Sequence, residues 1–207
     1  TKFIDNKDHN QADIKELRDI KGIIRKQEAR SAAMFCGLKE ENIHFLDMPF
    51  YETGGIRKNK LGDADIQIII DLLNEVKPHQ VFAAGDLADP HGTHRVCLDA
   101  IFEAFEKTRD QSWWNGAYLW LYRGAWHEWP IDEIEMAVPI SPEELMRKRK
   151  AIFMHQSQKD HPVFPGDDTR EFWQRAEDRN RETAHFYNVL GLAEYEAMEA
   201  FVRWKFN

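Results

Sequence analysis

Between positions 81 and 107 the sequence passes from a short apolar run, Val81-Phe82-Ala83-Ala84, through Gly85-Asp86-Leu87-Ala88-Asp89-Pro90-His91-Gly92-Thr93-His94-Arg95 into an amphipathic stretch. Four apolar residues are too few for a buried helix. Followed by a loop marked with Gly and Pro and then by a helical period, they read as a strand handing over to a helix. A strand of this kind has to be covered by helices, so the unit constrains the chain to an α/β layer architecture. In open α/β sheets ligands bind beyond the carboxyl ends of the strands, which is where this loop falls.

The rest of the chain repeats the alternation. Ile20, Ile23, Ile24, Ala29, Ala32, Ala33 and Phe35 fall at helical spacing before a stop at Gly37, after a polar lead-in. Ile43-His44-Phe45-Leu46 predicts a strand. Asp63 is expected to cap a helix running to Val76, with Ile66, Ile69, Ile70, Leu72 and Leu73 on its buried side. Asp89 and Pro90 predict the N-cap and first residue of a helix ending near Lys107. Strands are expected over 117–122, 134–138 and 197–206, and helices over 142–155 and 169–190. The sheet should be largely parallel, with some mixed strands late in the chain.

With 207 residues the simplest organisation is one domain with its own core. A formal net charge of −8 argues against general nucleic-acid binding, which draws on an excess of Lys and Arg. No apolar run is long enough to span a bilayer, and no signal peptide is recognisable. Cys36 and Cys97 lie beside apolar neighbours and read as reduced core thiols of a cytoplasmic protein.

His91 and His94, three apart in the loop, suit a proton donor and a metal ligand. Asp86 and Asp89 are near enough in sequence to orient an imidazole from behind, although Asp89 also serves as a helix cap. Arg25 and Glu28 share a helix face, either as an ion pair or with Arg25 presented to a ligand. Arg57, with Lys58 and Lys60, is a candidate clamp for an anionic group. His155-Gln156-Ser157-Gln158 reads as a helix-end cap more readily than as part of a cleft. The aromatic segment from Trp113 through Trp129 offers ring faces for sugar stacking, for core packing or for a homo-oligomer interface.

These residues together resemble the LmbE/PIG-L-like deacetylases. The Asp89-Pro90-His91-Gly92-Thr93-His94-Arg95 stretch after a strand is similar to that family's second motif. The helix bearing Arg25 and Glu28, the Cys36-Gly37 stop, the run Phe45-Leu46-Asp47-Met48-Pro49 and the His155-x-Ser157-Gln158 segment extend the likeness over nearly the whole chain. Phe50-Tyr51-Glu52-Thr53-Gly54 and Arg123-Gly124-Ala125-Trp126-His127-Glu128-Trp129 resemble bacterial members in which the domain follows a glucosamine-6-phosphate deaminase-like domain.

The resemblance implies a Rossmann-like fold and zinc-dependent (Zn2+) hydrolysis of an N-acetylglucosamine-type substrate, an amino sugar or amino-sugar phosphate, with no nucleic-acid or membrane partner. It assigns zinc ligation to His94, catalysis at the scissile amide to His91 and substrate contact to Arg25. The family's first motif, His-Pro-Asp-Asp, is absent, and Thr93 stands where an acidic residue is usual. The expectation is therefore a single LmbE-like domain lacking its first strand, the C-terminal part of a longer protein and inactive by itself. A non-catalytic sugar-binding, regulatory or oligomerisation domain of a deaminase is the alternative.

Overall fold

The computed structural model describes residues 13–51, 58–85, 92–125, 127–158 and 170–205. Helices α1 (Lys15–Phe35), α2 (Asp63–Val76), α3 (Thr93–Lys107), α4 (Pro142–Phe153) and α5 (Phe172–Val189) surround strands β1 (Gln80–Ala84), β2 (Tyr118–Tyr122), β3 (Met136–Ile140) and β4 (Ala197–Arg203). The sheet order is β1-β2-β4-β3. β1 and β2 pair in parallel, whereas β4 runs antiparallel to both β2 and β3. Three strands therefore share one direction and β4 opposes them, a mixed sheet in an α/β domain. Pro139 sits in β3, which lies at the edge of the described sheet, where a missing backbone donor is tolerated.

Strand alternation sorts the two sheet faces. Val81 and Ala83 face the same side as Leu119 and Leu121. Against them pack Ile66, Ile69 and Leu73 of α2 and Leu98, Ala104 and Phe105 of α3. On the opposite face Glu199 of β4 meets Lys148 of α4 and Arg179 and Asn180 of α5. Phe82, Tyr118 and Tyr122, also on that face, stay more than a third exposed.

Several boundaries differ from expectation for local reasons. Residues 43–46 form no strand: the backbone at Ile43 is extended (φ −108°, ψ 109°), but residues 43–46 pair with no described strand. Leu46 and Met48 pack on the core as loop residues instead. Asp63 does not cap α2. Gly62 occupies the cap position, and Asp65, buried at the third helical position, accepts from the Gly62 N–H at 3.0 Å and the Phe50 N–H at 2.8 Å. One carboxylate thus fixes both the helix start and the turn at residues 49–51. Helix α4 carries the reciprocal form, with Ser141 and Glu144 bonding each other's backbone N–H. Cys36 is exposed rather than in the core, and Cys97 is half-buried. No helix among the described residues is long and apolar enough to cross a membrane.

Candidate functional site

The predicted handover lies where the sequence places it. β1 ends at Ala84, and Gly85 continues its ladder by donating to the Tyr122 carbonyl at 2.8 Å. A Cβ at Gly85 would stand 2.8 Å from Leu121 Cβ and 3.0 Å from Trp129 Cζ2. Only glycine fits between those walls without displacing one of them. Trp129 thereby closes over the end of β1, with the Arg123 guanidinium 3.9 Å from its ring centre.

The chain re-enters the described structure at Gly92, whose φ of +66° is left-handed. That conformation cannot continue a helix, so α3 starts at Thr93, not at Pro90, and Gly92 is its N-cap in place of Asp89. His94 is the second residue of α3, in the first turn of a helix that packs on β1 and α2. His91, Asp86, Asp89 and Arg57 lie outside the described residues. Arg25 is exposed on α1. Its neighbour Glu28 does not serve as its ion-pair partner; the Glu28 carboxylate accepts from the Ser157 N–H and hydroxyl, both at 2.7 Å, and ties α1 to the end of α4. Gln156 caps that end, donating to the Phe153 carbonyl at 2.5 Å, as the 155–158 segment suggests.

A second polar cluster was not legible as a site. Glu128, in the loop after β2, accepts from Arg179 Nη1 at 2.7 Å and from the Thr183 hydroxyl at 2.6 Å. Arg179 bonds Glu199 with its other terminal nitrogen. Asn180, fully buried, donates to the Met198 carbonyl and to Glu199 and accepts from Lys148 Nζ at 2.6 Å. Burial pushes the Lys148 ammonium down, partly offset by Glu199. Burial also pushes the Glu199 carboxyl up, but Arg179 and Lys148 outweigh it and hold the group below its usual range. The signal was there in α5: Ala176, Asn180, Thr183 and Ala184 recur at helical spacing, so small and polar residues occupy the stripe where apolar ones were sought.

Among the described residues no three His, Cys, Asp or Glu side chains form a group able to hold a metal ion. A protein zinc site needs at least three ligands. His94 is one imidazole without that set, so the described donors do not fit zinc.

Residues 4–105, just under half of the chain, match the family model described as PIG-L: GlcNAc-PI de-N-acetylase. A glucosamine-6-phosphate deaminase-like protein of Bacteroides thetaiotaomicron is 56% identical over 205 residues, which are 98% of this chain and 31% of that protein. The chain therefore spans about a third of that relative's length. The fold is similar to that of an N,N'-diacetylchitobiose deacetylase from Pyrococcus horikoshii (TM-score 0.54, 21% identity, 88% of this chain and 63% of that one). It is also similar to the conserved protein TT1542 of Thermus thermophilus (0.58, 20%, 86% and 72%). The 4-carboxy-2-hydroxymuconate hydratase GalB of Pseudomonas putida shares it too (0.61, 14%, 95% and 77%). A deacetylase and a hydratase on one fold mean that the fold does not choose the chemistry.

Proposed function

Starting from a PIG-L/LmbE-type domain, the family whose pattern residues 4–105 carry, we propose that this chain serves amino-sugar deacetylation: hydrolysis of the N-acetyl group of an N-acetylglucosamine-type substrate. The observation that carries the reading is this family match, which covers the strand-to-helix handover at the end of β1 and reaches to within two residues of the end of α3. His94 is the proposed zinc ligand, His91 the proposed catalytic group at the amide, and Arg25 and Arg57 the proposed substrate contacts. Asp86 and Asp89 are the proposed supports for the imidazoles.

The described donors supply one ligand at most, so the zinc demands partners from outside them. We place those partners in a longer protein, in which this chain is a single C-terminal LmbE-like domain beside a glucosamine-6-phosphate deaminase-like domain. That pairing makes chemical sense, because removing an acetyl group exposes the amine on which a deaminase acts. The alternative, a non-catalytic sugar-binding or regulatory domain, draws on the same shortage of ligands.

Zinc content and acetate release from N-acetylglucosamine separate the readings. The 207-residue chain should hold substoichiometric zinc and release no acetate. The longer protein should bind zinc and release acetate, and His94→Ala should remove both, costing activity about a thousandfold or more. A longer protein that binds zinc but leaves the acetamide intact would overturn the deacetylase reading. Unchanged zinc affinity in His94→Ala would overturn the ligand assignment.

A further inference from the structure

Between residues 127–134 and α5 lies a cavity of about 450 Å³, inside the roughly 300–1,000 Å³ range of small-molecule sites. Its wall includes Trp129, which also closes over Gly85 at the end of β1. The cavity thus adjoins the strand end from which the His91 and His94 loop departs.

Its charges cancel. Arg170, Arg175 and Arg179 line it together with Glu128, Asp178 and Glu182, three cations against three anions. Two of the arginines present nitrogens to carboxylates: Arg170 to Asp178 at 2.7 Å, and Arg179 to Glu128 at 2.7 Å and to Glu199. Tight recognition of a phosphate ester rests on guanidinium forks that close on the phosphate oxygens. Here the forks of Arg170 and Arg179 are spent on the protein's own anions.

Two buried donors nevertheless lack acceptors. The Arg179 side chain is 6% exposed, and its Nε has no partner among the described residues; neither has Trp129 Nε1. A buried donor left unmet carries a desolvation cost, and a ligand hydroxyl oxygen can relieve it. Apolar surface from Trp129, Ile131, Phe186 and Tyr187 shares the wall. Aromatic and aliphatic faces of this kind accept the C–H face of a pyranose. Burial, and next the Glu128 charge, pushes the Tyr187 phenol up, so it remains a hydroxyl donor at neutral pH.

We propose that this cavity seats an uncharged sugar ring, in preference to a sugar phosphate. The kind of ring rests on the deacetylase reading above; the seat and its charge preference come from the cavity.

The test is calorimetry and saturation-transfer NMR on the 207-residue chain with three probes: N-acetylglucosamine, its 6-phosphate and inorganic phosphate. The neutral sugar should bind, and its 6-phosphate should bind about threefold more weakly or worse. Inorganic phosphate should not displace the sugar. Glu182→Gln and Tyr187→Phe should each weaken sugar binding about fivefold or more, with Tm unchanged. A phosphate ester bound less than about threefold more weakly than the neutral sugar, displacement by inorganic phosphate, no sugar binding, or binding indifferent to both variants would each overturn the proposal. Acetate release by the longer protein keeps the two readings apart. Hydrolysis with a KM indifferent to both variants sinks the cavity and spares the deacetylase. Sugar binding without hydrolysis does the reverse.

Discussion

The two ends of the described chain solve opposite problems. In the C-terminal part, charged and polar side chains are buried: Glu177, Arg179, Asn180 and Thr183 are each less than a tenth exposed. They survive burial because each has partners in place. Arg149 grips Glu177 with two parallel bonds of 2.5 Å, and the Glu128, Arg179, Glu199, Lys148 and Asn180 contacts chain one element to the next. In α1 the reverse holds. Ile20, Ile23 and Ile24 are 54%, 62% and 45% exposed, and only Ala32 of the helix is buried. Among the described residues little covers that apolar stripe and it contributes little, whereas the polar cluster ties β4, α4, α5 and the loop after β2 to one another. Hydropathy alone ranks these regions the wrong way round.

Breaking the C-terminal cluster should have the largest effect. Arg179→Ala takes the cation from half-buried Glu128 and leaves Glu199 with Lys148 alone, and removing one partner of a buried pair costs about 3–5 kcal/mol. Urea denaturation should record that loss; a cost below about 1 kcal/mol would place the pair in effective contact with water. Acid should act on the same cluster more mildly. Because Glu199 is held below its ordinary range in the folded state, the unfolded state binds the extra proton. The stability it contributes is complete above the ordinary carboxylate range and drains away as pH falls through it. Melting temperatures from pH 7 down to about 3 should fall with a slope that Glu199→Gln flattens. An unaltered slope would assign acid sensitivity elsewhere. Smallest of all, Ile23→Ser on α1 should change stability by no more than about 0.5 kcal/mol. A loss several times larger would mean that the helix face is covered in solution, and the contrast between the two regions would close.

The same contrast explains what was readable. The α/β alternation, the bounds of α2 and the ends of α3 and β2 follow from spacing and from Gly and Pro, because strand and helix periods are local properties of the backbone. The α1 period was equally readable as a helix, yet a period reports which residues share a face and not whether anything lies against it. The strand expected at 43–46 failed for a related reason: an extended backbone becomes a strand only through a neighbour's hydrogen bonds.

For the candidate site, the sequence by itself determined that a strand runs into a loop and a helix with His94 at its start, and that Gly85 marks the exit. Only the tertiary structure decided that Gly85 is irreplaceable, since Leu121 and Trp129 arrive from elsewhere in the chain to fill the space a Cβ would need. Likewise Glu28 looked like half of a local ion pair until Ser157, distant in sequence, took its carboxylate. Glu128, Arg179 and Glu199 carried no motif because their meaning lies in pairings across 51 and 20 residues. Local order is set by dihedral preference and period. Which polar groups are buried, and against whom, is set by burial and Coulomb energy, and these depend on distances that exist only once the chain is folded.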